Sequence, residues 1–248
     1  RALHLLDVQP GTPNSERVVE VMERIQRERT PEFLEGLDDP QFVARFLSGA
    51  EGSQSAASRS AGPAPPLGST THISVLDCDG CACSVTCSNG SASGVIVPGT
   101  GVHLNNMLGE QDLNPLGFHR HPAGRRLPSM MAPTVVLRDG APQLVLGSAG
   151  SNRIRSAILQ TIVRVVDDGL RAPDAVQAPR LHFEDGIVYV EPGIDASTLE
   201  LSGRTVARFR ERNLFFGGVQ AVERSSGGDF WGGGDPRRGG AAEVVTGG

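Results

Sequence analysis

From Gly49 to Ser69 the chain is almost entirely Ser, Ala, Gly and Pro, and this stretch ends abruptly at Thr70. A segment of that composition has no apolar periodicity and buries too little surface to offset the entropy of ordering it. It reads as a solvated tether. From Thr70 the pattern turns β-rich, through Thr70-Thr71-His72-Ile73-Ser74-Val75-Leu76-Asp77-Cys78-Asp79-Gly80. The break divides the chain into residues 1–48, 49–69 and 70–248, and it looks built to be cut. Hydrolysis of the Ser69–Thr70 bond would make Thr70 an N-terminal residue with both a hydroxyl and a free α-amine. The hydroxyl is a nucleophile, and an amine with an ordinary pKa near ~8 can serve as its general base.

The 248 residues are enough for one core of ordinary size. A net charge of −5 argues against a nucleic-acid partner. No apolar run approaches the ~20 residues of a membrane span, so none is expected in this chain. All 23 basic residues are arginine. With abundant Gly and Ala, this reads as a coding bias toward G and C ahead of a surface selected for anions. The chain opens at Arg1 without a recognisable start, so further residues are expected before it, and the lack of a signal peptide says little about the parent protein.

Ser15 to Arg29 carries Val18, Val19, Val21, Met22 and Ile25 among charged residues, which predicts an amphipathic helix capped by Asn14 or Ser15 and stopped by Pro31. Asp38 to Phe46 predicts a second short helix. Ile73–Leu76 and Ala82–Thr86 predict strands joined by a two-residue turn at Asp79-Gly80. A second hairpin is expected from Thr134–Leu137 and Gln143–Leu146, turning near Asp139-Gly140. Ser151 to Gly169 has the spacing of a helix, Ile187–Val190 that of a strand, and Asp195 to Arg208 that of a helix followed by a strand. Periodicity alone predicts a mixed α and β domain, with strands and helices in blocks.

Thr70-Thr71-His72 with Ser74-Val75, Asp79-Gly80 and Ser84-Val85-Thr86 resembles the start of the small subunit of γ-glutamyltransferases. These are N-terminal-nucleophile hydrolases that cut themselves at this threonine. Further segments match in order: Gly101-Val102-His103-Leu104-Asn105-Asn106-Met107, then Pro128-Ser129-Met130-Met131-Ala132-Pro133-Thr134. Gly147-Ser148-Ala149-Gly150-Ser151-Asn152-Arg153, Ala178-Pro179-Arg180-Leu181-His182 and Gly234-Asp235-Pro236-Arg237-Arg238-Gly239-Gly240 follow. The resemblance implies an α+β fold, an αββα sandwich that is incomplete without the rest of the large subunit, whose helical tail would be residues 1–48. It also implies a periplasmic or extracellular compartment, with a cytoplasmic one as the alternative.

The resemblance assigns the site residue by residue. Thr70 is the nucleophile, Ser88 the hydroxyl that supports it, and Gly150 and Ser151 the oxyanion donors. The last pair lies between an expected strand and helix, where backbone N–H groups point outward. The plainer reading is a tight turn that uses glycine for space. Asn89 falls near the family's amide for the substrate α-amino group, where this chain is slightly shorter; an ordinary Ser-Asn-Gly turn is the alternative. Glu110 matches an acidic partner of that amino group, and Ser129 begins a serine pair for the α-carboxylate. The second serine of the pair is Met130 here, and a glutamine of the family is Met107. Each lost hydrogen bond to a charged group costs about 1.5–3 kcal/mol of binding unless neighbours compensate.

Cys78 and Cys81 lie across a turn, while Cys81, Cys83 and Cys87 have period-two spacing. Gathering all four on one ion would break the strand, so they read as free thiols ahead of a metal site. A Cys78–Cys81 disulfide stays open if the chain is exported. His72 reads as a packed neighbour of the nucleophile, neither ligand nor base. Phe215-Phe216-Gly217-Gly218-Val219 and the Gly-rich run from Gly227 to Gly240 lack a phosphate-loop ending and read as strand ends and turns closing the sheet.

The expected activity is therefore cleavage of γ-glutamyl amides such as glutathione, with transfer of the acyl group to water, an amino acid or a peptide. No cofactor and no metal are expected. The partner is the large subunit of the same precursor. A glutaryl or cephalosporin-type acylase on the same scaffold, or a non-catalytic fragment or assembly partner, are the alternatives.

Overall fold

The computed structural model describes residues 1–7, 14–49, 70–110, 113–114, 117–120, 122–124 and 126–245. Helices α1 (Ala2–Asp7), α2 (Ser15–Arg27), α3 (Pro31–Gly36) and α4 (Pro40–Ser48) precede strands β1 (Thr70–Leu76) and β2 (Ala82–Ser88). Next come β3 (Thr134–Arg138), β4 (Ala141–Ala149), α5 (Ile154–Val166) and α6 (Ala172–Gln177). The chain continues through β5 (Leu181–Glu184), β6 (Ile187–Val190), α7 (Ser197–Leu201), β7 (Thr205–Arg208), β8 (Gly218–Arg224) and β9 (Phe230–Gly234). The expected tether, 49–69, lies outside the described residues apart from Gly49. These elements fall into two compact units, Arg1–Ala64 with Pro179–Glu211, and Pro65–Ala178 with Arg212–Gly248.

In the first unit the helix starts follow side-chain chemistry. Asn14 accepts the Arg17 N–H at 2.8 Å and opens α2. That helix ends at Arg27, two residues short of expectation. Pro31 does more than stop it, because Thr30 accepts the Phe33 N–H at 3.2 Å and Pro31 becomes the first residue of α3, where a missing N–H has no cost. The expected second helix is α4, begun by the Asp39 cap and ended at Gly49 with φ +82°. Val18 and Val19 of α2 pack with Leu181, Val188, Val190 and Leu199, joining the helix to a three-stranded sheet in the order β5-β6-β7. The helix and strand expected between Asp195 and Arg208 are α7 and β7.

The second unit holds a four-stranded antiparallel sheet, β3-β4-β8-β9. Leu144 and Leu146 of β4 and Val219 and Ala221 of β8 form a core with Ile154, Ile158 and Ile162 of α5 and Val176 of α6. Gly147, of opposite parity in the pleat, faces the β1–β2 hairpin instead. The order of layers is helices, sheet, hairpin, which makes the unit a mixed α and β structure. α5 is buried around most of its circumference, from Ser156 through Val163. The expected helix at Ser151 begins with a tight turn over Ser151–Arg153 before α5 proper.

The two hairpin turns differ. Asp139 and Gly140 both take positive φ, +52° and +82°, and close the β3–β4 hairpin in two residues as expected. The turn at Asp79-Gly80 is not a two-residue one. Asp77 donates its N–H to the Cys81 carbonyl, its side chain accepts the Cys81 N–H at 2.7 Å, and Cys78-Asp79-Gly80 form the loop. The Asp77 side chain makes the wider loop favourable by satisfying a backbone donor. The Gly-rich run also departs from expectation, because Gly232-Gly233-Gly234 sit inside β9 rather than in a turn. Close approach of Ala172 to Gly233 leaves no room for a side chain there.

On the outward face of the hairpin Ile73, Val75 and Val85 are 58%, 51% and 41% exposed. All four cysteines are free and exposed. Among the described residues no cluster of three or more His, Cys, Asp or Glu is placed to hold a metal ion, and no helix is long and apolar enough to cross a membrane.

Candidate active site

Thr70 opens β1, and the antiparallel register sets it directly opposite Ser88, the last residue of β2. Both strands run longer than the apolar pattern alone suggests, which is what makes the pair meet. Thr70 Oγ1 lies 2.8 Å from Ser88 Oγ, and Ser88 Oγ also accepts the Gly90 N–H at 2.9 Å. The Gly90 bond occupies one lone pair of Ser88 and leaves its proton available to Thr70. In the continuous chain the nitrogen of Thr70 is a peptide amide; the α-amine exists only once the bond before it is broken.

Two pairs further along, on the same face, His72 lies opposite Thr86 and is 5% exposed. Its Nδ1 is 2.7 Å from Thr86 Oγ1, and its Nε2 is 2.9 Å from Ser74 Oγ. Ser74 donates its own proton to the Gln220 carbonyl at 3.1 Å, so it accepts from Nε2–H. The hydroxyl inventory thus assigns the Nε2–H tautomer, with Thr86 donating to Nδ1. Burial pushes the His72 pKa down to about 4, so the ring is neutral at pH 7. Ser84 extends the network by donating to the Leu146 carbonyl at 3.0 Å and accepting the Thr134 N–H at 3.0 Å. His72 is therefore a packed neighbour that ties the Thr70 strand to β4 and β8.

At the end of β4 the chain leaves the sheet through Gly150, φ +129°, and Ser151, φ +52°. A Cβ at Gly150 would lie 2.7 Å from Gly217 Cα, so only glycine fits this approach. Ser151 holds a left-handed conformation that a serine rarely adopts, a local strain of the kind concentrated at functional sites. Both residues share a cavity of about 160 Å³ with Thr70 and Ser88.

The loop after β2 forms another wall. Asn106 accepts the Ser91 N–H at 2.9 Å and donates to Ser91 Oγ at 2.6 Å, fixing the Gly90-Ser91 bend. Buried Asn114 donates to the carbonyls of Leu108 and Glu110, at 3.2 and 2.7 Å, and so sets where Glu110 enters the cavity. Glu110, Ser129 and Met130 line it, together with Met107 and Met131. Asn89 is not among the lining residues; its carbonyl accepts the N–H groups of Ala92 and Asn106, while Gly90 and Ser91 face the cavity in its place.

Sequence reasoning did not find Arg153 and Arg238, which also line the cavity. Arg153 donates to the Phe215 carbonyl at 3.1 Å and lies over the Phe215 ring, 4.8 Å from its centre. Burial first, then the neighbouring Arg153 charge, lowers the Arg238 pKa below its ordinary value. The two arginines occur in matched motifs, but only the folding of β4 and β9 onto β8 brings those motifs to one cavity. Asp235, two residues before Arg237, faces inward: its fully buried carboxylate accepts from Val219 N at 2.8 Å, Arg237 N at 3.0 Å and the Arg237 guanidinium at 3.2 Å.

The fold and site together define a mixed α and β protein with a paired-hydroxyl threonine in a cavity beside a strained glycine turn. Among known proteins, the chain matches the family model described as Gamma-glutamyltranspeptidase over residues 14–245, and it belongs to that family. It is 34% identical over 185 residues to the glutathione hydrolase proenzyme of Escherichia coli strain K12, covering 68% of this chain and 31% of the relative. It is 32% identical over 184 residues to the acylase ACY 1 proenzyme of Pseudomonas sp. strain SE83, covering 72% and 32%. A solved γ-glutamyltranspeptidase from Pseudomonas nitroreducens, complexed with L-DON, superposes with a TM-score of 0.60 at 30% identity, over 71% of this chain and 100% of that one. The matched part of the chain spans about a third of the length of the Escherichia coli and Bacillus subtilis relatives.

Proposed function

We propose that this chain is the catalytic part of a γ-glutamyl-transferring N-terminal-threonine hydrolase. The 2.8 Å contact between Thr70 and Ser88, in one cavity with Gly150 and Ser151, carries the reading. Cleavage before Thr70 frees its amine, which takes the proton from Oγ1 as that oxygen attacks the γ-amide carbonyl of glutathione or a similar compound. The backbone at Gly150 and Ser151 receives the oxyanion, and Ser88 donates to the threonine oxygen. The amine returns the proton to the leaving nitrogen as the C–N bond breaks and an acyl-threonine ester remains. Water or the amine of an amino acid or peptide then attacks the ester and restores the hydroxyl. Glu110 pairs with the substrate α-amino group and Ser129 adds a polar contact in this reading, with Met130 beside the chain; Asn89, outside the cavity lining, takes no part in it.

The same proposal includes an αββα sandwich. The exposed Ile73, Val75 and Val85 support a further layer over the hairpin, supplied by the remainder of a large subunit of which residues 1–48 are the tail. A second reading, an acylase for glutaryl-type side chains, is favoured by one observation: Met107, Met130 and Met131 make much of the wall apolar.

Intact mass of the protein expressed from its full gene, beside a Thr70→Ala control, is the test. Two polypeptides, one beginning at Thr70, with the control uncut, are expected. A single chain in both samples would remove the N-terminal-nucleophile mechanism and leave a non-catalytic relative. γ-Glutamyl and glutaryl anilides, compared on the processed protein, separate the two enzymatic readings.

A further inference from the structure

Arg238 brings a positive charge to the cavity lining, and Asp235 acts on that charge without a hydrogen bond to it. Its Nε is buried without a hydrogen-bond partner, and among the described residues no ion pair holds its guanidinium. The carboxylate nearest in sequence, Asp235, is already committed to Val219 and Arg237. The aliphatic part of Arg238 is wedged against Gly218, where an added Cβ would meet its Cγ at 2.8 Å, so the side chain cannot fold away on that side. Arg153 stands close enough to depress the Arg238 pKa and adds to the positive charge rather than offsetting it. Against these two cations the lining sets one carboxylate among the described residues, Glu110. A buried guanidinium nitrogen without an acceptor is costly, and that cost is relieved when an anion supplies the missing lone pairs.

We infer that Arg238 is a substrate-binding residue whose guanidinium receives a carboxylate of the substrate, a contact that rests on the cavity being the acyl-transfer site proposed above. Met107, Met130 and Met131 leave few polar groups in the lining for such a carboxylate, so a charged partner in the same cavity compensates. Two parts of a substrate could bring the carboxylate: the acyl group, or the peptide that leaves or accepts.

Calorimetric binding to the processed protein separates these sources. The probes are glutaramate (acyl-side carboxylate with an amide), butyramide (the same chain without a carboxylate) and glycylglycine. Arg238→Gln is expected to weaken glutaramate or glycylglycine about tenfold or more, whichever carries the carboxylate to Arg238, and to leave butyramide unchanged. Arg238→Lys, which keeps the charge, is expected to bind between the two. Steady-state hydrolysis of γ-glutamyl-p-nitroanilide should show the effect of Arg238→Gln in KM, with kcat within about twofold, if the acyl side is the source. Equal affinity of wild type and Arg238→Gln for both carboxylate probes, or no binding of either by the wild type, overturns the inference; a misfolded Arg238→Gln passes the comparison to Arg238→Lys with unchanged melting temperature. Arg238-dependent binding in a protein that turns over no anilide would instead overturn the proposed reaction and keep the carboxylate site.

Discussion

Thr70 Oγ1 and Ser88 Oγ stand 2.8 Å apart across the final residue pair of an antiparallel hairpin. Their contact is a register property: a slip of one residue would turn Thr70 to the exposed face and replace Ser88 by Cys87 or Asn89. The register is held two pairs away by His72, whose ring links Thr86 of the partner strand to Ser74 on its own. The position of Thr70 is thus tied to the packing of the hairpin on β4 and β8.

Ser88→Ala removes the hydroxyl that faces Thr70. It is expected to slow hydrolysis of γ-glutamyl-p-nitroanilide by about 10- to 100-fold, the equivalent of about 1.4–2.8 kcal/mol. Ser88→Thr retains the oxygen and should recover most of the rate. An unchanged kcat in Ser88→Ala would show that Thr70 works without this partner.

His72 sets a pH dependence of stability. Its folded pKa, about 4, lies below the ordinary 6.5, so the unfolded chain binds the extra proton between these values. Stability is therefore flat with respect to this residue above pH 6.5 and falls as pH drops from 6.5 toward 4, by about 1.4 kcal/mol per pH unit. Urea midpoints at pH 7.5, 6 and 5 for wild type and His72→Gln measure it. The wild type should lose more stability than the variant over that interval; equal losses would exclude a buried neutral imidazole.

Gly147→Ala would place a methyl group into the His72 ring. The ring is held at both nitrogens and cannot withdraw without breaking a bond. A loss of about 1–3 kcal/mol is expected, read as a lower urea midpoint with an unchanged m-value. A variant as stable as wild type would mean that the hairpin can shift away from β4.

Asp235→Ala leaves the buried Arg237 guanidinium without its carboxylate and the Val219 N–H without an acceptor. The expected cost is about 3–5 kcal/mol in chemical denaturation. Asp235→Asn keeps an acceptor and should lose less. Equal stability of all three proteins would show that the Asp-Pro-Arg loop is not a structural post.

Much of this was legible along the chain. The two hairpins and the helix after Ser151 follow from periodicity, because local apolar spacing reflects which face an element buries. The positions of Thr70, Ser88, Glu110, Ser129, Met130, Gly150 and Ser151 in ordered motifs pointed to one cavity, and all seven line it. Asn89 did not follow, because the short loop after β2 turns Gly90 and Ser91 inward instead. The start of α3 at Pro31 and the strand at Gly232–Gly234 were hidden for a related reason: a proline can open a helix as well as stop one, and glycines can form a strand where neighbouring backbone comes too close for side chains.

The sequence by itself determined the hairpin that Thr70 opens, the turn at Gly150 and Ser151 and the family to which the chain belongs, since each resides in contiguous motifs whose local chemistry is complete. Only the tertiary structure decided that Arg153 and Arg238 line one cavity with Thr70 and that His72 is buried and neutral. Each of these depends on residues far apart in the chain being desolvated together, and burial is a property of packing that no local pattern contains.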